Sequence, residues 1–160
     1  MAKQSKASFA EEIQQSQPFS CLEEECYLSL MRTSAELSHR TDQFLKPFRI
    51  TQAQYNVLRI LSAAGPKGLG RNEIAERMLT PTPDASRLLD RLEEAGWIRR
   101  KRDTNDRRQV TSCITATGRK RLARVERPLA AFYKNQCGGI SQPELKRFLR
   151  RLSDLRKENA

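Results

Sequence analysis

Six basic side chains lie close together in the second half of the chain and carry its clearest chemical signal. They are Arg99, Arg100, Lys101, Arg102, Arg107 and Arg108. A guanidinium group binds a phosphate through two parallel hydrogen bonds and can also read the edge of a guanine, whereas an ammonium group acts as a point charge. The chemistry predicted for this cluster is recognition of a polyanion.

The charge of the whole chain supports this interpretation. The net charge is +11, from 30 Lys and Arg against 19 Asp and Glu in 160 residues. Residues 1–86 contain ten basic and ten acidic side chains, residues 87–127 contain thirteen and six, and residues 128–160 contain seven and three. A charge run alone is often only a solvated surface. Because the excess is concentrated around the arginine cluster, nucleic acid is the predicted partner.

Residues suited to other chemistry are sparse. His39 is the single histidine, and the four cysteines, at positions 21, 26, 113 and 137, form no C-x-x-C pair, so we expect no zinc site. The phosphate-binding, nucleophile-elbow and metalloprotease motifs are missing, so we expect neither an enzyme nor a cofactor. No apolar run is long enough to span a membrane, and the first residues do not resemble a secretory signal. A cytoplasmic protein is predicted.

Apolar spacing and chain breakers define the elements that must position the basic cluster. They predict helices over about 20–48, 52–64, 70–78, 83–95, 118–136 and 142–157. Capping-box patterns mark three starts, at Ser20–Glu23, Thr51–Gln54 and Ser141–Glu144. Thr82 is the predicted cap of the 83–95 helix, and either Thr115 or Thr117 opens the next helix, which Pro128 should kink.

The arginine cluster itself falls on a predicted β-hairpin. Residues 97–102 form its first strand, 103–106 are turn-forming, and 110–115 alternate and are rich in β-branched side chains. The predicted fold is mainly α with a small β-hairpin wing, that is, a winged helix-turn-helix flanked by N- and C-terminal dimerisation helices. We divide the chain into a flexible N-terminal arm (1–19), a dimerisation helix (20–48), the DNA-binding domain (49–118) and C-terminal dimerisation helices (119–160).

Four segments in register resemble the MarR family of winged-helix transcriptional regulators. Residues 72–78 are similar to the family's first helix-turn-helix helix, and 86–98 to its recognition helix and the following turn. Residues 103–108 resemble the D-x-x-D-R-R wing signature, and 114–118 resemble the L-T-x-x-G motif that opens the following helix. The resemblance covers about residues 22–156. It implies a homodimer, a palindromic operator in double-stranded DNA, commonly a repressor role, and often a small-molecule effector, here expected to be aromatic or phenolic.

Candidate DNA-contacting residues follow from these segments. The start of the recognition helix should enter the major groove, and its candidates are Thr82, Asp84, Ser86, Arg87 and Arg91. Asp84 has two interpretations, a base acceptor or simply a favourable acid at the helix start. Arg107 and Arg108 are predicted to enter the minor groove, with Asp103 and Asp106 organising the wing. Arg99, Arg100, Lys101 and Arg102 are predicted phosphate contacts, or else a solvated cover of the strand.

The effector side is less defined. His39, Arg40 and Tyr55 are candidate pocket residues because the resemblance places the family's pocket near them, although each could be an ordinary surface or core residue. Residues 22–28 somewhat resemble the region around the reactive cysteine of the peroxide-sensing branch. The matching positions for its tyrosines hold Leu30, Arg40 and Gln52, so we interpret Cys26 as a buried apolar residue rather than a redox sensor.

Three alternatives stay open. An architectural or RNA-binding winged helix would also use basic strands and differs in lacking sequence selectivity. A winged helix that binds only proteins would not need the arginine cluster. The terminal helices could also fold back on their own subunit instead of forming a dimer.

Overall fold

The computed structural model describes residues 7–82, 84–102 and 110–157. It divides the chain into two compact units, Met1–Gln52 and Ala53–Ala160. The predicted wing tip, 103–109, therefore lies outside the described residues.

The first unit consists of helices. It contains α1 (Phe9–Glu12) and α2 (Leu22–Leu45), followed by a 3₁₀ turn at Lys46–Phe48. The sequence did not predict α1, which is a single turn closed by a reciprocal capping box between Ser8 and Glu11.

The start of α2 differs in detail from the prediction. Cys21 is the N-cap, and Ser20 donates from its backbone N–H and its hydroxyl to the carboxylate of Glu24, both at 2.6 Å, rather than pairing with Glu23. These two hydrogen bonds stabilise the charged form of Glu24 and lower its pKa. The helix ends at Leu45, three residues before the predicted end, where the 3₁₀ turn that contains Pro47 begins.

The second unit is built around a helix-turn-helix and a small sheet. It contains most of α3 (Gln52–Ala64), then β1 (Leu69–Gly70), α4 (Arg71–Glu76), α5 (Ala85–Glu94), β2 (Ile98–Arg102), β3 (Val110–Ile114), α6 (Ala116–Gln136) and α7 (Gln142–Lys157). Its fully buried side chains include Leu58, Leu61, Leu92, Val125 and Leu129. The mainly helical fold with a wing, predicted from the sequence, is confirmed.

The sheet has three antiparallel strands in the order β1-β3-β2, one more than the predicted hairpin. In β2 and β3, Ile98 pairs with Ile114 and Arg100 with Ser112. The additional strand depends on Gly68, whose φ is +68° and whose absent Cβ would lie 2.3 Å from the carbonyl oxygen of Ser112. Only glycine lets the chain pass this close to β3.

The structure corrects one predicted helix start, the Thr82 cap of α5, and decides between the two starts that the sequence left open for α6. Asp84, not Thr82, caps α5 by accepting a hydrogen bond from the N–H of Arg87. Thr115 caps α6 by accepting from the N–H of Gly118 at 3.0 Å, so the alternative start at Thr117 is wrong. α6 continues through Pro128 to Gln136. No helix among the described residues is long and apolar enough to cross a membrane.

Both units leave apolar side chains at the surface. In α2, Leu22, Tyr27 and Met31 are exposed, and the helix buries only Leu45. In α7, Phe148, Leu149 and Leu155 are exposed and no residue is buried. The single chain thus keeps apolar faces in contact with solvent on its terminal helices.

Candidate nucleic-acid interface

The N-terminal end of α5 presents its polar side chains at the surface. Asp84 caps the helix, and its Oδ2 lies 3.0 Å from Nε of Arg87, whose side chain is 79% exposed. Of the two interpretations of Asp84, the structure supports the acid that stabilises the helix start. The short ion pair holds Arg87 near the first turn of the helix, while its exposure leaves the guanidinium accessible to a base edge.

Ser86 connects α5 to the preceding helix. Its hydroxyl oxygen accepts a hydrogen bond from Nη1 of Arg71, at the start of α4, over 3.4 Å. Arg71 also donates to the side-chain oxygen of Asn72. Sequence reasoning missed Arg71, because only the packing of α4 beside α5 brings it to this site.

The remaining candidates on this helix lie at its edges. Thr82 precedes the helix, and its hydroxyl donates to the carbonyl oxygen of Thr80 over 3.3 Å. Arg91 lies in the last turn of α5 and is exposed.

The four basic residues of β2 do not form one uniform surface. Neighbouring side chains of a strand point to opposite faces of the sheet. Arg100 contacts α5, where its guanidinium lies 2.6 Å from Oδ1 of Asp90 and 3.5 Å from Oε2 of Glu93. The sequence predicted Arg100 as a phosphate contact and gave no indication that two carboxylates of α5 pair with it.

Arg99 and Lys101 lie on the other face of the strand. Together with Lys67, Arg102, Thr111 and Cys113 they line a recess of about 260 Å³. None of its four basic side chains forms an ion pair with another described residue. Their charges are therefore available to an external anion.

A larger cleft lies between α4, α5 and the sheet. Its volume is about 520 Å³, and its lining includes Arg71, Ser86, Arg100 and Thr111. The described part of the interface is therefore a groove of mixed polarity that contains arginines from separate segments of the chain.

The wing residues with the strongest sequence signal cannot be placed in this geometry. Asp103, Asp106, Arg107 and Arg108 lie outside the described residues. Their predicted contacts stay predictions.

The candidate effector residues are divided between the two units. His39 is exposed, and Arg40 forms an ion pair of 3.0 Å with Glu36 on the same helix, which lowers the pKa of Glu36. Tyr55 belongs to the other unit and is half-buried. Burial raises its pKa, and the nearby Tyr133 and Glu126 raise it further.

The cysteines give no metal site. No group of three or more histidine, cysteine or acidic side chains suited to a metal ion exists among the described residues. Cys26 is exposed in the single chain, so its interpretation as a buried residue is wrong. The error arose because α2 presents its apolar side to solvent instead of burying it.

The comparisons with known proteins agree with this geometry. The model of the MarR family matches residues 50–110, which contain α4, α5 and the start of the wing. An uncharacterized HTH-type transcriptional regulator of Bacillus anthracis is 30% identical over 123 residues, which are 77% of this chain and 80% of the relative. YcgE of Bacillus subtilis, also an uncharacterized HTH-type transcriptional regulator, is 31% identical over 102 residues. These residues are 62% of this chain and 65% of YcgE.

A solved structure extends the similarity to the fold. The S. aureus MepR–DNA complex has a TM-score of 0.72 at 27% identity, with 84% of this chain and 96% of that chain covered. The similarity of fold therefore extends over most of this chain and nearly all of that one.

Proposed function

Since the chain belongs to the MarR family of winged helix-turn-helix transcriptional regulators, we propose that it binds a palindromic operator as a homodimer and represses transcription from it. Such a regulator acts in the cytoplasm, where the promoter is accessible. The observation that carries the proposal is the exposed start of α5, where Arg87 and Ser86 stand beside the basic strand β2. MepR, a relative of the same fold, has been crystallised with DNA.

Sequence selectivity is the property that separates a regulator from an architectural winged helix. We expect the protein to select a two-fold symmetric sequence from a pool of random duplexes, with half-sites one helical turn apart or a multiple of it. Its affinity for that duplex should exceed its affinity for random DNA by about 10³-fold or more. Equal affinity for the selected duplex and for random DNA would instead indicate an architectural DNA-binding protein.

Base reading is assigned to the start of α5. Arg87 is proposed to contact a guanine, Ser86 and Thr82 are proposed to contact bases or phosphates, and Arg91 lies farther along the helix. We expect Arg87→Gln to reduce affinity for the selected duplex much more than affinity for random DNA. A uniform loss on both would assign Arg87 to phosphate binding instead.

The wing is assigned to the minor groove. Arg107 and Arg108 supply the guanidinium groups, and Asp103 and Asp106 organise the turn. Arg108→Ala should weaken operator binding by more than roughly tenfold while thermal unfolding is unchanged. Arg156→Ala on α7 is the matched control. An unchanged gel-shift affinity for Arg108→Ala would remove the wing from the site.

Phosphate binding is assigned to the basic strand. Arg99, Lys101 and Arg102 have no ion-pair partner among the described residues, which supports this role. Because each neutralised phosphate releases counterions, affinity should fall steeply as the salt concentration rises. In a plot of log affinity against log salt concentration, Arg99→Gln should reduce the slope by about one.

Repression follows if a dimer on the promoter blocks polymerase. In a run-off transcription assay on a template carrying the selected sequence at its promoter, added protein should reduce the transcript. An increase in transcript would make the protein an activator.

A small aromatic or phenolic effector is proposed to release the DNA. Tyr55 is half-buried and lies near Arg59 and near Tyr133, whose side chain is 49% exposed, a combination that suits an aromatic acid or a phenol. His39 and Arg40 are the further candidates, on α2. A panel of phenols and benzoates tested for release of the selected duplex, on the wild type and Tyr55→Phe, checks the assignment. No release by any member would count against it.

A further inference from the structure

Arg100 is tied to the recognition helix at three residues. Its Nη2 donates to Oδ1 of Asp90 at 2.6 Å and to the carbonyl oxygen of Ser86 at 3.4 Å. Its backbone N–H donates to Oε1 of Glu93 at 2.8 Å, and its Nε lies 3.5 Å from the other oxygen of that carboxylate. One residue of β2 thus spans three residues along α5.

These contacts are more enclosed than the other charges of the strand. The side chain of Arg100 is 25% exposed, whereas Arg99 and Lys101 are exposed and without an ion pair to a described residue. An ion pair that is partly withdrawn from water is screened less than a surface pair and has a defined geometry. The guanidinium of Arg100 is therefore committed to the protein.

We propose that Arg100 is a positioning residue that fixes the wing strand β2 against α5 and thereby supports operator binding without contacting DNA. The inference rests on the proposed function, since it assigns α5 and the wing to the same operator. Two DNA-binding elements held at a fixed distance engage the duplex together, whereas loosely connected elements must be ordered on binding.

The carboxylates give Arg100 a second effect. Asp90 and Glu93 lie on the helix proposed to enter the DNA, where unpaired negative charges would repel phosphate. Arg100 lies against both carboxylates and offsets their charge. Its removal is therefore expected to reduce affinity in two ways, through a looser wing and through uncompensated acids.

The salt dependence of binding separates positioning from phosphate contact. We would measure the affinity of the wild type, Arg100→Gln and Arg99→Gln for the selected duplex over a salt series. Arg100→Gln should weaken binding by about tenfold and change the slope of log affinity against log salt concentration by well under one, while Arg99→Gln should lower that slope by about one. A slope lowered by about one in Arg100→Gln, or an unchanged affinity, would overturn the proposal.

A second comparison uses the carboxylates. In a background of Asp90→Ala and Glu93→Ala, Arg100→Gln should change affinity much less than in the wild type, because both carboxylate partners are gone and only the 3.4 Å contact with the carbonyl oxygen of Ser86 remains. A phosphate contact would give the same tenfold loss in both backgrounds and would refute the positioning role. Arg100→Lys, which keeps the charge but not the fork of donors, should give an intermediate loss.

Two further measurements separate the positioning role of Arg100 from weakened folding of the variants and from failure of the proposed function. Thermal unfolding of each variant sets a temperature at which all are folded, and Arg100→Lys replaces Arg100→Gln if the latter has none. If the wild type selects no sequence, the proposed function fails, and the same variants are compared on a random-sequence 30-base-pair duplex. The slopes then still decide whether Arg100 contacts phosphate.

Discussion

Asp84 has two roles at the start of α5. Its carboxylate accepts the N–H of Arg87 at 3.1 Å, which closes the first turn of α5, and it pairs with the guanidinium of the same residue. A capping carboxylate at this position also interacts favourably with the helix dipole. The acid therefore stabilises the helix that carries the proposed base contacts.

Replacing this cap should cost stability. We expect Asp84→Ala to reduce the free energy of unfolding by about 1 kcal/mol, the usual cost of losing an N-cap. Thr82→Ala, at the cap position predicted from the sequence, should change it by less than about 0.5 kcal/mol. Urea unfolding of both variants checks the difference, and a larger effect at Thr82 would contradict the observed cap.

Because of Tyr55 and Tyr133, the free energy of unfolding should depend on pH in the alkaline range. Burial raises the pKa of both above the ordinary value of 10.0. Because the folded-state pKa exceeds the unfolded one, the neutral phenols stabilise the fold below pH 10, and this contribution is lost as the pH rises through the folded-state pKa. Between about pH 9 and pH 11, the wild type should lose more stability in urea unfolding than Tyr55→Phe/Tyr133→Phe. An equal loss would contradict the burial of the phenols.

The start of α6 is fixed by close packing on the turn before β2. Thr115 donates from its hydroxyl to the carbonyl oxygen of Gly96 at 2.7 Å and accepts from the N–H of Gly118. A Cβ on Gly118 would lie 2.1 Å from the carbonyl oxygen of Trp97. The glycine is thus required by the contact between the helix start and this turn.

We therefore expect Gly118→Ala to be destabilising despite the higher helix propensity of alanine. Overpacking of this kind typically costs about 1–3 kcal/mol. Gly139→Ala is the matched control, because a Cβ there meets no atom within 4 Å. A melting temperature of Gly118→Ala equal to or above that of the wild type would show that the helix shifts without cost.

Long elements could be predicted from the sequence because their signals are local. Apolar spacing and caps identified all six long or medium helices and the two strands of the wing. Strand β1 and the link from Arg71 to Ser86 were missed, since each depends on a partner distant in the chain, at Ser112 and across the helix-turn-helix. The pairing of Arg100 with Asp90 was missed for the same reason. The alternation of side chains along a strand predicts that Arg100 and its neighbours Arg99 and Lys101 lie on opposite faces, but only the packing of β2 on α5 shows that Arg100 contacts Asp90.

Most of the excess positive charge of the whole molecule falls on the segment from α5 to α6, which favours binding to DNA. The excess of +7 in residues 87–127, thirteen basic less six acidic side chains, includes β2 and the start of α6, and a dimer presents it twice. The affinity of the proposed dimer for its operator should accordingly fall steeply with salt concentration. The separate excess of +4 in residues 128–160, seven less three, falls largely on α7, and no DNA contact is assigned to it.

The exposed apolar faces of the terminal helices lead to the last prediction. Phe148 is 48% and Leu149 63% exposed in the single chain, and an apolar face of this kind is normally covered by a partner subunit. Phe148→Gln/Leu149→Gln should therefore shift the protein from dimer to monomer in sedimentation at micromolar concentration and weaken binding to the palindrome. Binding to a single half-site should change little, because α5 and the wing are untouched. Lys146→Gln on the same helix should remain a dimer, and a monomeric wild type would contradict the dimer itself.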